Sequence, residues 1–150
     1  MATNIDDILP AASDVLTRIA QAEAEKSAAE QRQKSAEQAE KDALIKRLSK
    51  PSGLSEEEKV KLAATIIQRA ISNGLLEVQV YRFPNELTTD HGRAINQAEP
   101  GWEKTLNGIP KEIFKLWEDH LRDKGYKIRY QILEFPGGLP GDIGITLSWH

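Results

Sequence analysis

Cysteine is absent from this 150-residue chain. That excludes a disulfide scaffold, thiolate-ligated zinc or iron–sulfur sites and any cysteine nucleophile, and it suits a reducing, cytoplasmic setting. Long apolar runs are missing too. None approaches the roughly 18–20 residues of a membrane-spanning helix, so no membrane partner is expected. The opening MATNIDDILPAASDVL has neither a basic n-region nor an uninterrupted apolar stretch, so no signal peptide is expected. Charge of one sign is not in large excess: 20 Lys and Arg stand against 23 Asp and Glu, for a net −3. With a pI near 5.7, nothing overall draws the protein toward nucleic acid or anionic lipid.

Other scarcities are uneven along the chain. Residues 1–50 contain no aromatic residue, no glycine and one proline, Pro10, but eleven of the sixteen alanines. Residues 51–150 hold all nine aromatics and all ten glycines. The first part can make helix yet offers little bulk for a core, whereas the second has the composition of a mixed domain. Ser49-Lys50-Pro51-Ser52-Gly53 is a break that no helix should cross. The organisation expected is therefore a helical segment over 1–50, a linker at 51–53 and a small domain over 54–150.

Between about Pro10 and Ser49 the residues are mainly Ala, Glu, Gln, Lys and Arg, which favour helix. Acid-to-base spacings at i,i+4, such as Glu30 to Lys34 and Glu37 to Lys41, add a few tenths of a kcal/mol each. A helix of that length spans roughly 60 Å and calls for a partner. Ile8, Val15, Ala22, Ala29, Ala36 and Ala43 recur every seven residues, and all are apolar. A second seam begins with Ile5, Ala12 and Ile19 and then turns polar at Lys26, Gln33 and Glu40. The pattern is coiled-coil-like, with bulk at the start and an alanine line after it. The expected partner is a second copy or another helical protein. The expected contact residues are Ile8, Val15, Ile19, Ala22, Ala29, Ala36 and Ala43.

The remainder reads as α-β-α-β-β. Ser55 with Glu58 forms a capping box, followed by Val60, Ala63, Ala64, Ile67, Ala70 and Ile71 at helical spacing and a stop at Asn73-Gly74. A strand over Leu75–Phe83 sets Leu76, Val78 and Val80 on one face and Glu77, Gln79 and Tyr81 on the other. A second helix opens at Pro110 with Ile113, Phe114, Leu116, Trp117 and Leu121 on its apolar side, and Gly125 ends it. Two alternating strands joined by the Phe135–Asp142 turn, rich in proline and glycine, make a hairpin. The fold class expected is α+β: the long N-terminal helix, then a three-stranded, largely antiparallel sheet with both later helices on its apolar face.

Few residues could carry chemistry. The connection over residues 85–109 is long for a compact domain and holds Thr88, Thr89, Asp90, His91, Arg93 and Asn96. Asp90, His91 and Arg93 could orient a base and neutralise an anion. The competing reading is a turn whose Asp and Thr side chains bond nearby backbone. His120 sits beside an apolar helix face and reads as a boundary histidine, and His150 is the last residue. No metal-ligand spacing or cofactor motif is present, so neither is expected. Lys127 and Arg129 on the polar sheet face lack the stacking aromatics of an RNA-binding sheet, so nucleic acid is not an expected partner. Trp102 reads as a lid over the core.

The function expected from these features is assembly or protein–protein interaction through the N-terminal helix, without catalysis. The alternative is a small enzyme or ligand-binding domain with a polar site in the 85–109 connection.

Overall fold

A computed structural model of the protein describes residues 8–150. Ile5 of the second seam lies outside the described residues. Helix α1 runs over Ala12–Leu48, with no glycine or proline to interrupt it. Backbone contacts divide the chain into two compact units, the first ending at Ala43 and the second covering Leu44–His150. The division falls inside α1, so the last turn of this helix belongs with the second unit.

In the first unit every residue from Ile8 to Ala43 is exposed. The bulky members of the expected stripe remain open: Ile8 is 70% exposed, Val15 37% and Ile19 50%.

The second unit is built on a sheet of three antiparallel strands, β1 (Glu77–Phe83), β2 (Lys127–Ile132) and β3 (Ile143–Ser148), in the order β1-β3-β2. Central β3 is buried along its whole length, and Ile143 and Ile145 have no exposed surface. One face is apolar: Val78, Tyr81 and Phe83 of β1 oppose Leu147, Ile145 and Ile143, which in turn oppose Ile128, Tyr130 and Ile132 of β2. Helices α2 (Glu56–Ser72) and α4 (Gly108–Leu116) cover that face. Ile67 of α2 packs with Leu121 and Leu147, and Ile113 and Phe114 of α4 pack on the larger cluster around Phe83 and Tyr130. The Ser55 cap forms as expected, its hydroxyl accepting from the Glu58 N–H at 3.2 Å.

The expected place of Tyr81 is corrected. A bulge interrupts the β1–β3 ladder between Gln79 and Tyr81. The extra residue reverses the alternation downstream, so Tyr81 joins the apolar face beside Phe83, with ring centroids 6.5 Å apart. Val80 also packs against the core. Strand β1 is shorter than expected, and Leu76 before it is 59% exposed. The polar face keeps Glu77, Gln79, Arg82, Lys127, Arg129 and Gln131, all exposed, with Arg129 paired to Glu77 across the sheet at 3.1 Å.

Helix α4 begins two residues before Pro110 and changes pitch at its end. Trp117–Leu121 is a π turn, followed by a 3-10 turn that closes at Gly125. The Trp117 indole N–H donates to the Tyr126 carbonyl at 2.8 Å, tying this end to the start of β2. Ile45 and Leu48, from the last turn of α1, pack on the larger core cluster. Gly108 permits their approach. Its φ of +63° disfavours any side chain, and a Cβ there would collide with the Leu48 carbonyl oxygen and lie 2.7 Å from Ser49 Cα.

Candidate functional site

The 85–109 connection is ordered from within. It contains 3-10 turns at Asn85–Leu87 and Trp102–Thr105 and one short helix, α3 (Arg93–Asn96). Thr88 and Leu106 pair as an isolated antiparallel bridge. The Thr88 hydroxyl donates to the Asn85 carbonyl at 2.7 Å and accepts from the Gly92 N–H at 2.7 Å. Asp90 accepts from the backbone N–H groups of Gly92 (3.2 Å) and Ala94 (3.0 Å). Its carboxylate thus closes the first turn of α3, as the turn reading of this segment expects.

The other two candidates point elsewhere. His91 is exposed and holds φ = +55°, with Nδ1 3.4 Å from Asn85 Oδ1. Arg93 pairs with Glu99 at 2.8 Å, and its side chain is 59% exposed. Asp90, His91 and Arg93 therefore each have a separate partner. None of the three lines the cleft described below. Asn85 fastens the connection to the Phe135–Asp142 turn by donating to the carbonyls of Pro140 (2.6 Å) and Gly141 (3.1 Å). Trp102 is half-buried as a lid, 4.9 Å from the Tyr130 ring and 5.6 Å from Phe114.

The remaining histidines also have partners. His120 Nε2 lies 3.0 Å from a Glu56 carboxylate oxygen, joining the π turn to the start of α2. That contact, with Lys59 adding to it, holds the exposed Glu56 carboxyl below the ordinary carboxylate range. His150 is not loose: its Nδ1 lies 3.2 Å from the Leu76 carbonyl, and its own carbonyl accepts from Lys127 Nζ at 3.0 Å. Among the described residues no three His, Asp or Glu side chains converge as metal ligands. Burial raises the Tyr130 hydroxyl above the usual tyrosine range. It donates to the Pro110 carbonyl at 2.7 Å, linking β2 to α4.

A cleft that the sequence reading missed lies between α2, α4 and β1. It measures about 270 Å³ and is lined by Leu62, Ala63 and Ile66 of α2, Ile113 and Leu116 of α4, and Val80 and Tyr81 of β1, among others. The π turn contributes Trp117 and Leu121. Lys59 and Glu112 also line it, 3.8 Å apart. Lys59 also reaches Glu56 at 3.3 Å, and Glu112 accepts from the Ser52 N–H at 3.2 Å. A signal was present in the sequence. Leu62 and Ile66 widen the apolar side of α2 beyond the single face counted above, and a helix apolar on more than one face has more than one surface to cover.

The fold is α+β, and among the described residues no helix is long and apolar enough to cross a membrane. No family model matches the chain, and neither the curated proteins nor the solved structures include one significantly similar to it.

The geometry makes Asp90 a local structural clamp. Replacing it with Ala should cost about 1 kcal/mol in chemical denaturation, the usual worth of a lost cap. Asp90→Asn, which keeps an acceptor oxygen, should cost less than half of that. An equal loss in both variants would contradict the assignment.

Proposed function

We propose that this is an assembly protein that self-associates through α1, with no catalysis of its own. The observation that carries the proposal is the complete exposure of Ile8 to Ala43, which includes Ile8, Val15 and Ile19 on one heptad pattern together with exposed Leu16. Isolated helices are marginal in water, and most helical stability in proteins comes from packing an apolar stripe. A second copy supplies that packing with a surface identical in period and length. Alanine at Ala22, Ala29, Ala36 and Ala43 lets two helices approach closely, while each buries little area. The association is therefore reversible, with its strength concentrated in the bulky first turns. A cytoplasmic location belongs to the same proposal, since a cysteine-free chain suits a reducing compartment.

Sedimentation of the full chain should show concentration-dependent association in the micromolar range. Val15→Asp with Ile19→Asp should return it to monomer while leaving the 44–150 unit folded. A full chain that stays monomeric throughout that range would refute the proposal.

The cleft supports a second reading, a domain that binds a small apolar molecule. An enclosed apolar cavity of about 150 Å³ is enough to hold benzene, and the cleft is larger, at about 270 Å³. Titration with 1-octanol, followed by tryptophan fluorescence, should then saturate, and Ala63→Phe should abolish the response by filling the space. An unsaturable change, or the same change in Ala63→Phe, would count against this reading.

A further inference from the structure

We infer that the two copies of α1 associate in parallel and in register; this rests on the self-association proposed above. Helix α1 is continuous over Ala12–Leu48, and every residue of it up to Ala43 is exposed, so over that stretch its faces are defined by helical period alone. With Val15, Ala22, Ala29, Ala36 and Ala43 at the d positions of the heptad in α1, the a positions are Ala12, Ile19, Lys26, Gln33 and Glu40. The flanking e positions are Leu16, Glu23, Glu30 and Glu37, and the flanking g positions are Arg18, Glu25, Arg32 and Ala39.

Flank charge and apolar bulk together favour one of the two orientations. In a parallel pair each g residue faces the e residue five places further along the second copy. Arg18 then meets Glu23 of the second copy and Arg32 meets Glu37 of the second copy, and both pairs are repeated by the symmetry. The like-charge meetings are Glu25 with Glu30 of the second copy on the flank and Glu40 with its own counterpart at an a position. Lys26 at its a position lies next to Glu25 of the second copy, which offsets the approach of the two lysines. An antiparallel pair with full overlap instead brings e against e and g against g. With Ala12 set opposite Ala43 of the second copy, Glu23 then faces Glu30 of the second copy and Glu25 faces Arg32 of the second copy, so one like-charge meeting stands against one opposite-charge meeting. Bulk agrees with charge. The parallel arrangement sets Val15 and Ile19 against their own counterparts and concentrates the apolar contact in one place. The antiparallel arrangement sets Val15 against Glu40 and Ile19 against Ala36 of the second copy.

The absence of native cysteine makes the test direct. In Ala36→Cys the two sulfurs meet at the seam of a parallel pair, whereas antiparallel overlap of Ala12–Ala43 separates them by about 26 Å, from 17 residues at 1.5 Å each. Mild oxidation of Ala36→Cys, with sedimentation of the same sample under reducing conditions, should give a disulfide-linked dimer in high yield. A reduced sample that sediments as a dimer but gives no disulfide overturns the parallel orientation. A sample that sediments as a monomer overturns the self-association itself. Charge reversal provides the second readout. Glu23→Arg should weaken the dimer about fivefold, from two exposed ion pairs turned repulsive, and Arg18→Glu combined with Glu23→Arg should restore it. Failure of the double variant to recover would contradict the pairing.

Discussion

A short or isolated helix is marginal in water unless its side chains find something to bury against, and α1 has no buried residue before its last turn. From Ile8 to Ala43 every residue is exposed. Favourable propensity and i,i+4 contacts such as Gln38 to Asp42 at 2.8 Å contribute only tenths of a kcal/mol each. The proposed assembly role answers that deficit: a second copy would supply the missing surface, at the period the segment itself carries.

The 44–150 unit has no such deficit. It is organised around β3, whose Ile143 and Ile145 are wholly enclosed. An antiparallel neighbour on each side satisfies its backbone, and helices close over its apolar face. Tyr130 shows how tightly this face is bound to its cover: its ring packs near Phe83, Trp102 and Phe114, and its hydroxyl reaches Pro110. The last turn of α1 enters the same core through Ile45 and Leu48. The cleft beside α2 leaves part of the apolar surface of this unit uncovered.

Much of this was legible in the sequence, for identifiable reasons. Glycine and proline punctuation marked where the helices end, the Ser55 cap marked where α2 starts, and strict alternation marked β2 and β3. The bulge in β1 was not legible, because an added residue in a strand leaves no compositional trace, and it moved Tyr81 from the polar to the apolar face. The unit boundary within α1 was missed because Leu44, Ile45 and Leu48 continue a helical pattern without a break, and only their packing partners separate them from what precedes. The polar cluster in the 85–109 connection was visible, but its geometry was not. Composition cannot distinguish an Asp90 that awaits a substrate from one that accepts two backbone N–H groups of its own turn. The cleft was hidden because Leu62 and Ile66 read as ordinary helix residues until α4 is placed opposite them.

In the proposed assembly α1 depends on a second molecule, and hydrogen exchange at several protein concentrations measures that dependence residue by residue. Amides between Ala12 and Ala43 should exchange progressively more slowly as concentration rises, while those of β3 keep one rate throughout. Exchange in the Ala12–Ala43 stretch that is independent of concentration would contradict the account.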